Sequence, residues 1–98
     1  MAHRIAPRAE TDFDEIWLYV AKDSGSIETA NRLIDIITDR FYILATFPRI
    51  GRAREDFGRG YRSLAVGEYV VLYCLENEEV LILRVVHGHR DLDSLFVR

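Results

Sequence analysis

"EYVVLYCLENEEVLILRVVH" (residues 68–87) holds two apolar runs of strand length, 68–75 and 79–87, parted by the polar stretch Glu76-Asn77-Glu78. β-Branched and aromatic residues fill both runs, and a link this short makes the two strands antiparallel neighbours. The second run is apolar on both faces. Strict alternation sends Leu81, Leu83 and Val85 one way and Val80, Ile82, Arg84 and Val86 the other. A sheet with one wet face alternates more cleanly than this. One face is therefore expected to pack on helices. The other, carrying Arg84, is expected either to lie under loops or to be an interaction surface. A third strand, "YRSLAV" (61–66), joins through Gly67-Glu68 and widens the sheet.

Upstream the period changes from two to that of a helix. Ala9, Phe13, Ile16, Trp17 and Val20 recur at helical spacing after Pro7, whose fixed φ suits a first helical position. Glu10, Asp12, Asp14 and Glu15 are expected on the opposite, solvated face of that helix. "KDSGS" (22–26) interrupts the pattern at Gly25, and Ser26 is placed to cap a second helix. Its stripe is Ile27, Ala30, Leu33, Ile34, Ile37, Phe41 and Leu44, and Pro48 stops it. Two helices joined so closely form an αα-hairpin. "HRIA" (3–6) is a short strand before it, and "PRIGRAREDFGRG" (48–60) is an exposed connector. The expected fold is α+β: an N-terminal short strand and an αα-hairpin packed on a small antiparallel sheet, in the order β-α-α-β-β-β.

At 98 residues and 49% hydrophobic the chain makes one domain, 1–98, with enough apolar side chains for a core. Cys74 is the only cysteine, so no internal disulfide forms and a cytoplasmic location is expected. Charges run through the first twenty residues, so neither a signal peptide nor a membrane span is expected there. The formal charge of −3 argues against general phosphate-backbone binding. Lys22 is the only lysine among 13 basic residues. Arg49, Arg52, Arg54, Arg59 and Arg62 cluster against only Glu55 and Asp56. Such a zone suits planar, bidentate contacts to an acidic partner, with Arg49, Arg52 and Arg54 as candidates. An arginine-preferring genome explains it equally well.

The chemistry-bearing stretch is "HGHRD" (87–91). His87 and His89 share a strand face but lack a third ligand, so no metal site and no cofactor are expected. Phosphoryl transfer on RNA needs cations and a proton carrier, which Arg62 and Arg84 with His87 or His89 could supply. The alternative is that Arg90 and Asp91 pair locally and the histidines merely finish a strand. Cys74, inside an apolar strand, reads as a core thiol. Tyr61 stands at the mouth of the arginine zone.

"APRAETDFDEIWLYVA" (6–21), "FPRIGRARED" (47–56), "GYRSLAVGEYVVLY" (60–73) and "ILRVVHGHRDL" (82–92) together resemble the RelE/ParE superfamily of type II toxin–antitoxin toxins, its ParE-like branch above all. The resemblance implies two helices on a small antiparallel sheet, and a bacterial growth-arrest toxin neutralised by a cognate ParD-like antitoxin in a hetero-oligomer. It implies DNA gyrase as the target, with neither membrane nor sequence-specific nucleic acid as partner. The alternative it carries is a ribosome-dependent mRNA endoribonuclease of RelE type, using Arg62, Arg84, His87 and His89. The nuclease branch tends to have lysines before the arginine strand and a Tyr or His near the C-terminus, and His87 and His89 keep that alternative open. Here Ala53 and Glu55 stand among arginines and Phe96 stands near the end, which favours gyrase. The expected target-binding residues are Tyr61, Arg62, Arg84, His87, His89 and Arg90. The expected antitoxin-binding residues are Ile36, Ile43, Val80, Ile82 and Arg84.

Overall fold

A computed structural model describes residues 2–88 and residue 91. In chain order the elements are β1 (His3–Ile5), α1 (Pro7–Ser24), α2 (Ile27–Thr46), β2 (Arg52–Ala53), β3 (Arg62–Val66), β4 (Tyr69–Glu76) and β5 (Glu79–His87). Pro7 opens α1, and Gly25 closes it in the left-handed region at φ 69°. The Ser26 hydroxyl then accepts the Thr29 N–H at 3.1 Å, satisfying one of the free donors at the start of α2. The Phe47 N–H donates to Ile43 O at 2.8 Å, and Pro48 prevents any continuation.

The sheet order is β1-β5-β4-β3-β2. β3, β4 and β5 form the expected antiparallel meander, and Asn77 and Glu78, both at positive φ, make the tight turn between the last two. The sheet is mixed rather than wholly antiparallel, because β1 pairs parallel with β5 from His3↔Val80 to Ile5↔Ile82. Parallel neighbours need a long crossover, and everything from α1 to β4 supplies it. The connector also contributes β2, a two-residue edge strand paired with β3.

One irregularity decides which side chains face the helices. Tyr73 pairs with Ile82 but Leu72 pairs with Arg84, so Leu83 is an extra residue in β5. A bulge of this kind resets the alternation. Val80 and Ile82 face the helices before it, and Val85 does so after it; all three are buried in the core with Val71 and Tyr73. The expected division of the strand is corrected accordingly. Val80 and Ile82 are fully buried and present nothing to an antitoxin, and Val85 belongs with them.

Ile37, Phe41 and Leu44 of α2 and Ala9 of α1 close this core from above, each fully buried. Burying a side chain of the larger kind contributes about 1.5–3 kcal/mol. The opposite face carries Val70, Leu72, Cys74, Leu81 and Val86 by register, and of these Leu72 and Val86 are buried.

Candidate functional site

Arg84 was expected on a sheet face that either lies under loops or is an interaction surface, as a possible catalytic cation with Arg62. The structure gives its guanidinium to α1. Its Nε donates to Asp12 Oδ2 at 2.8 Å and its Nη2 to Asp12 Oδ1 at 3.1 Å. The same Oδ2 accepts the Val85 N–H at 2.9 Å, and Arg8 approaches Oδ1 at 3.3 Å. Past Ile82 the short β1 no longer lines this edge of β5, and α1 takes its place, so the carboxylate supplies the acceptor a strand would have offered.

Asp12 is only 3% exposed, which overturns its expected place on a solvated helix face. The spacing contained the signal: Ala9, Asp12, Phe13 and Ile16 are i, i+3, i+4 and i+7, the buried stripe itself. An acid on that stripe needs a cation, and Arg84 is the cation.

Beside this pair lies a cleft of about 330 Å³. Arg8, Glu15 and Tyr19 of α1 line one wall, and Tyr69, Arg84 and His87 line the other, with Asp91 at the rim. His87 Nε2 is 2.9 Å from Glu68 Oε1, and its ring meets the Tyr69 ring edge-on at 5.5 Å. The Asp91 N–H donates to His87 O at 2.9 Å. His89 and Arg90 lie outside the described residues. Among the described residues no three His, Cys, Asp or Glu side chains gather as metal ligands. Arg8, Tyr19 and Tyr69 are residues of this cleft that sequence reasoning did not single out; α1 and β4, which carry them, are far apart along the chain.

Arg62 is committed elsewhere. Its Nη1 donates to Gly51 O at 2.7 Å and to Arg49 O at 3.3 Å. Opposite it on β4, the buried Tyr73 hydroxyl donates to Pro48 O at 2.7 Å and accepts the Gly51 N–H at 2.9 Å. Burial pushes the Tyr73 phenol above its ordinary value, against the opposing pull of the Gly51 amide and the Arg62 charge. A Cβ on Gly51 would overlap the Tyr73 hydroxyl and come within 2.8 Å of Ser63 O, so only glycine fits. Arg54 is likewise taken: it bonds Asp56 at 2.8 Å through Nη2 and lies over the Phe57 ring at 4.4 Å. That hydrogen bond holds the Asp56 carboxyl below its usual range and raises Arg54. Tyr61, half-buried, packs against Gly58 at the base of the connector.

The two arginines therefore do not converge. One neutralises a buried carboxylate, the other binds carbonyl oxygens, and His87 accompanies only the first. Ile36 is 46% exposed and Ile43 half-buried, so both reach the surface of α2.

The family described as the ParE toxin of type II toxin–antitoxin systems matches residues 4–92. The chain belongs to the ParE toxin family. Toxin ParE3 of Caulobacter vibrioides is 36% identical over 81 residues, covering 83% of this chain and 80% of its own. In solved structures the ParE-like architecture recurs in a chain of the chromosomal ParDE system of P. aeruginosa, with a TM-score of 0.78 at 21% identity over 89% of this chain and 95% of that one. A chain of the RelBE2 toxin–antitoxin complex of Mycobacterium tuberculosis follows at a TM-score of 0.58 and 25% identity, covering 88% and 95%. ParE toxins and this chain thus share the two-helix, five-stranded arrangement described above.

Proposed function

We propose that this ParE-family toxin arrests bacterial growth by binding DNA gyrase and stabilising its cleaved-DNA state, and that a ParD-like antitoxin holds it inactive in the cytoplasm. The observation that carries the choice of mechanism is the internal commitment of Arg84 and Arg62. A ribonuclease needs cations aimed at the developing phosphate charge. A guanidinium already bonded to a buried carboxylate has little charge left to offer, and one bonded to two carbonyls of its own chain is held out of reach. The likeness to ParDE and RelBE2 complexes supports an antitoxin-bound hetero-oligomer. Target contact is assigned to His87 and to Tyr61; the α2 surface at Ile36 and Ile43 is assigned to the antitoxin.

Purified toxin added to gyrase and relaxed plasmid should block supercoiling and accumulate cleaved DNA. Unimpaired supercoiling, together with cleaved message when the toxin is added to translating ribosomes, would replace this reading with the RNA-cleaving one.

A further inference from the structure

The loop between α2 and β2 is held far more firmly than its exposure requires. Four hydrogen bonds fix the backbone of Pro48, Arg49 and Gly51: the Tyr73 hydroxyl donates one and accepts one, and Arg62 donates two. Yet the side chains this backbone carries point to water: Phe47 is 62% exposed and Ile50 55%. With Thr46, Pro48 and Arg49 these two line an open apolar dish. A buried hydroxyl, a guanidinium and a position closed to any Cβ all act on the loop. Such bracing removes the ordering cost that a partner would otherwise meet on binding.

Charge defines what fits there. Of the five arginines between residues 49 and 62, Arg54 and Arg62 are taken up internally. Both connector acids are also in use, Asp56 on Arg54 and Glu55 on the Gly60 N–H. Arg49, Arg52 and Arg59 are exposed and have no ion pair among the described residues, although Asp56 acts on Arg52 through space. The apolar dish is thus lined by one exposed arginine without an ion pair, Arg49, and the loop that carries it ends at a second, Arg52, on a protein of net charge −3.

We propose that the loop Phe47–Arg52 is a preformed docking platform for an acidic polypeptide segment that carries a bulky apolar anchor. The anchor lies on Phe47 and Ile50, and the flanking carboxylates meet Arg49 and Arg52, whose planar forks suit them. A nucleic acid is the poorer fit, because the dish is apolar and the protein as a whole repels a phosphate backbone. This assignment does not rest on gyrase being the target.

The test is fluorescence anisotropy with a labelled peptide of alternating glutamate and alanine around a central Leu-Trp pair. Arg49→Glu/Arg52→Glu should weaken binding about tenfold or more, and Ile50→Asp by a similar factor, since anchors and their charged neighbours dominate such contacts. Arg32→Glu, exposed near the start of α2, should change little. Absence of binding, binding indifferent to the Leu-Trp pair and to Ile50, or tighter binding of a single-stranded RNA of equal charge would each overturn the proposal. The altered side chains are exposed, so urea unfolding should match that of the parent protein and separate a docking defect from a folding one.

Discussion

Two polar braces hold this molecule together, and they are built on opposite principles. At the α1–β5 seam a buried carboxylate faces a cation and a bulge amide. At the α2–β2 loop a phenol and a guanidinium bind neutral backbone groups. The first brace is charged, and removing either partner strands the other in a place with little water. The second is neutral on one side, so its loss frees a loop without leaving a buried charge. The seam is thus a condition for the fold, whereas the loop brace shapes a surface. Both arginines that looked like catalytic cations turn out to serve these braces.

The comparison breaks most visibly at Asp12. Asp12→Ala leaves Arg84 and the Val85 N–H without their acceptor, and a loss of about 3 kcal/mol is expected in urea unfolding, as for a broken buried pair. Asp12→Asn, which still accepts from Val85, should lose distinctly less. Gly51→Ala drives a methyl group into the Tyr73 hydroxyl, and about 1–3 kcal/mol should be lost as for other overpacked sites. Tyr73→Phe keeps the ring and deletes two hydrogen bonds, which should cost about 1–2 kcal/mol and raise amide exchange at Gly51 selectively.

Tyr73 also sets a pH dependence. Its phenol ionises above the ordinary 10.0 in the folded state, so the unfolded chain loses that proton first. Stability from the neutral phenol is complete below 10.0 and falls as pH rises through the higher folded value. Unfolding midpoints on either side of 10.0 should show this alkaline fall in the parent and a shallower one in Tyr73→Phe. The smallest effect concerns Cys74, whose thiol burial pushes up; its alkylation at mildly alkaline pH should be slower than in the unfolded chain.

The helical hairpin was legible because its signals are local: the Ser26 cap, the Gly25 break and two clean stripes within one segment. The β3–β4–β5 meander was legible for the same reason. The bulge at Leu83 was not, since an extra residue in a run of Leu, Ile and Val leaves no mark in composition. That one residue moved Val80 and Ile82 from the expected outer face into the core. Asp12 stood on the buried stripe in plain view, but its partner is far along the chain, so a solvated acid was the simpler reading. The parallel pairing of β1 and the clasp of Tyr73 on Gly51 are likewise contacts between distant segments. The family resemblance reached the correct architecture; the roles of Arg62 and Arg84 became apparent only once their acceptors were placed.

The central claim is that Arg84 belongs to the fold and not to a reaction. Asp12→Asn/Arg84→Met tests it directly, because it removes both charges at once and keeps an acceptor for the Val85 N–H. Replacing a buried ion pair by uncharged groups is often close to neutral for stability. The decisive measurement is growth arrest on induction of this double variant, alongside its circular dichroism and urea midpoint. The account predicts a folded protein that still arrests growth; a folded protein that has lost all toxicity would contradict it.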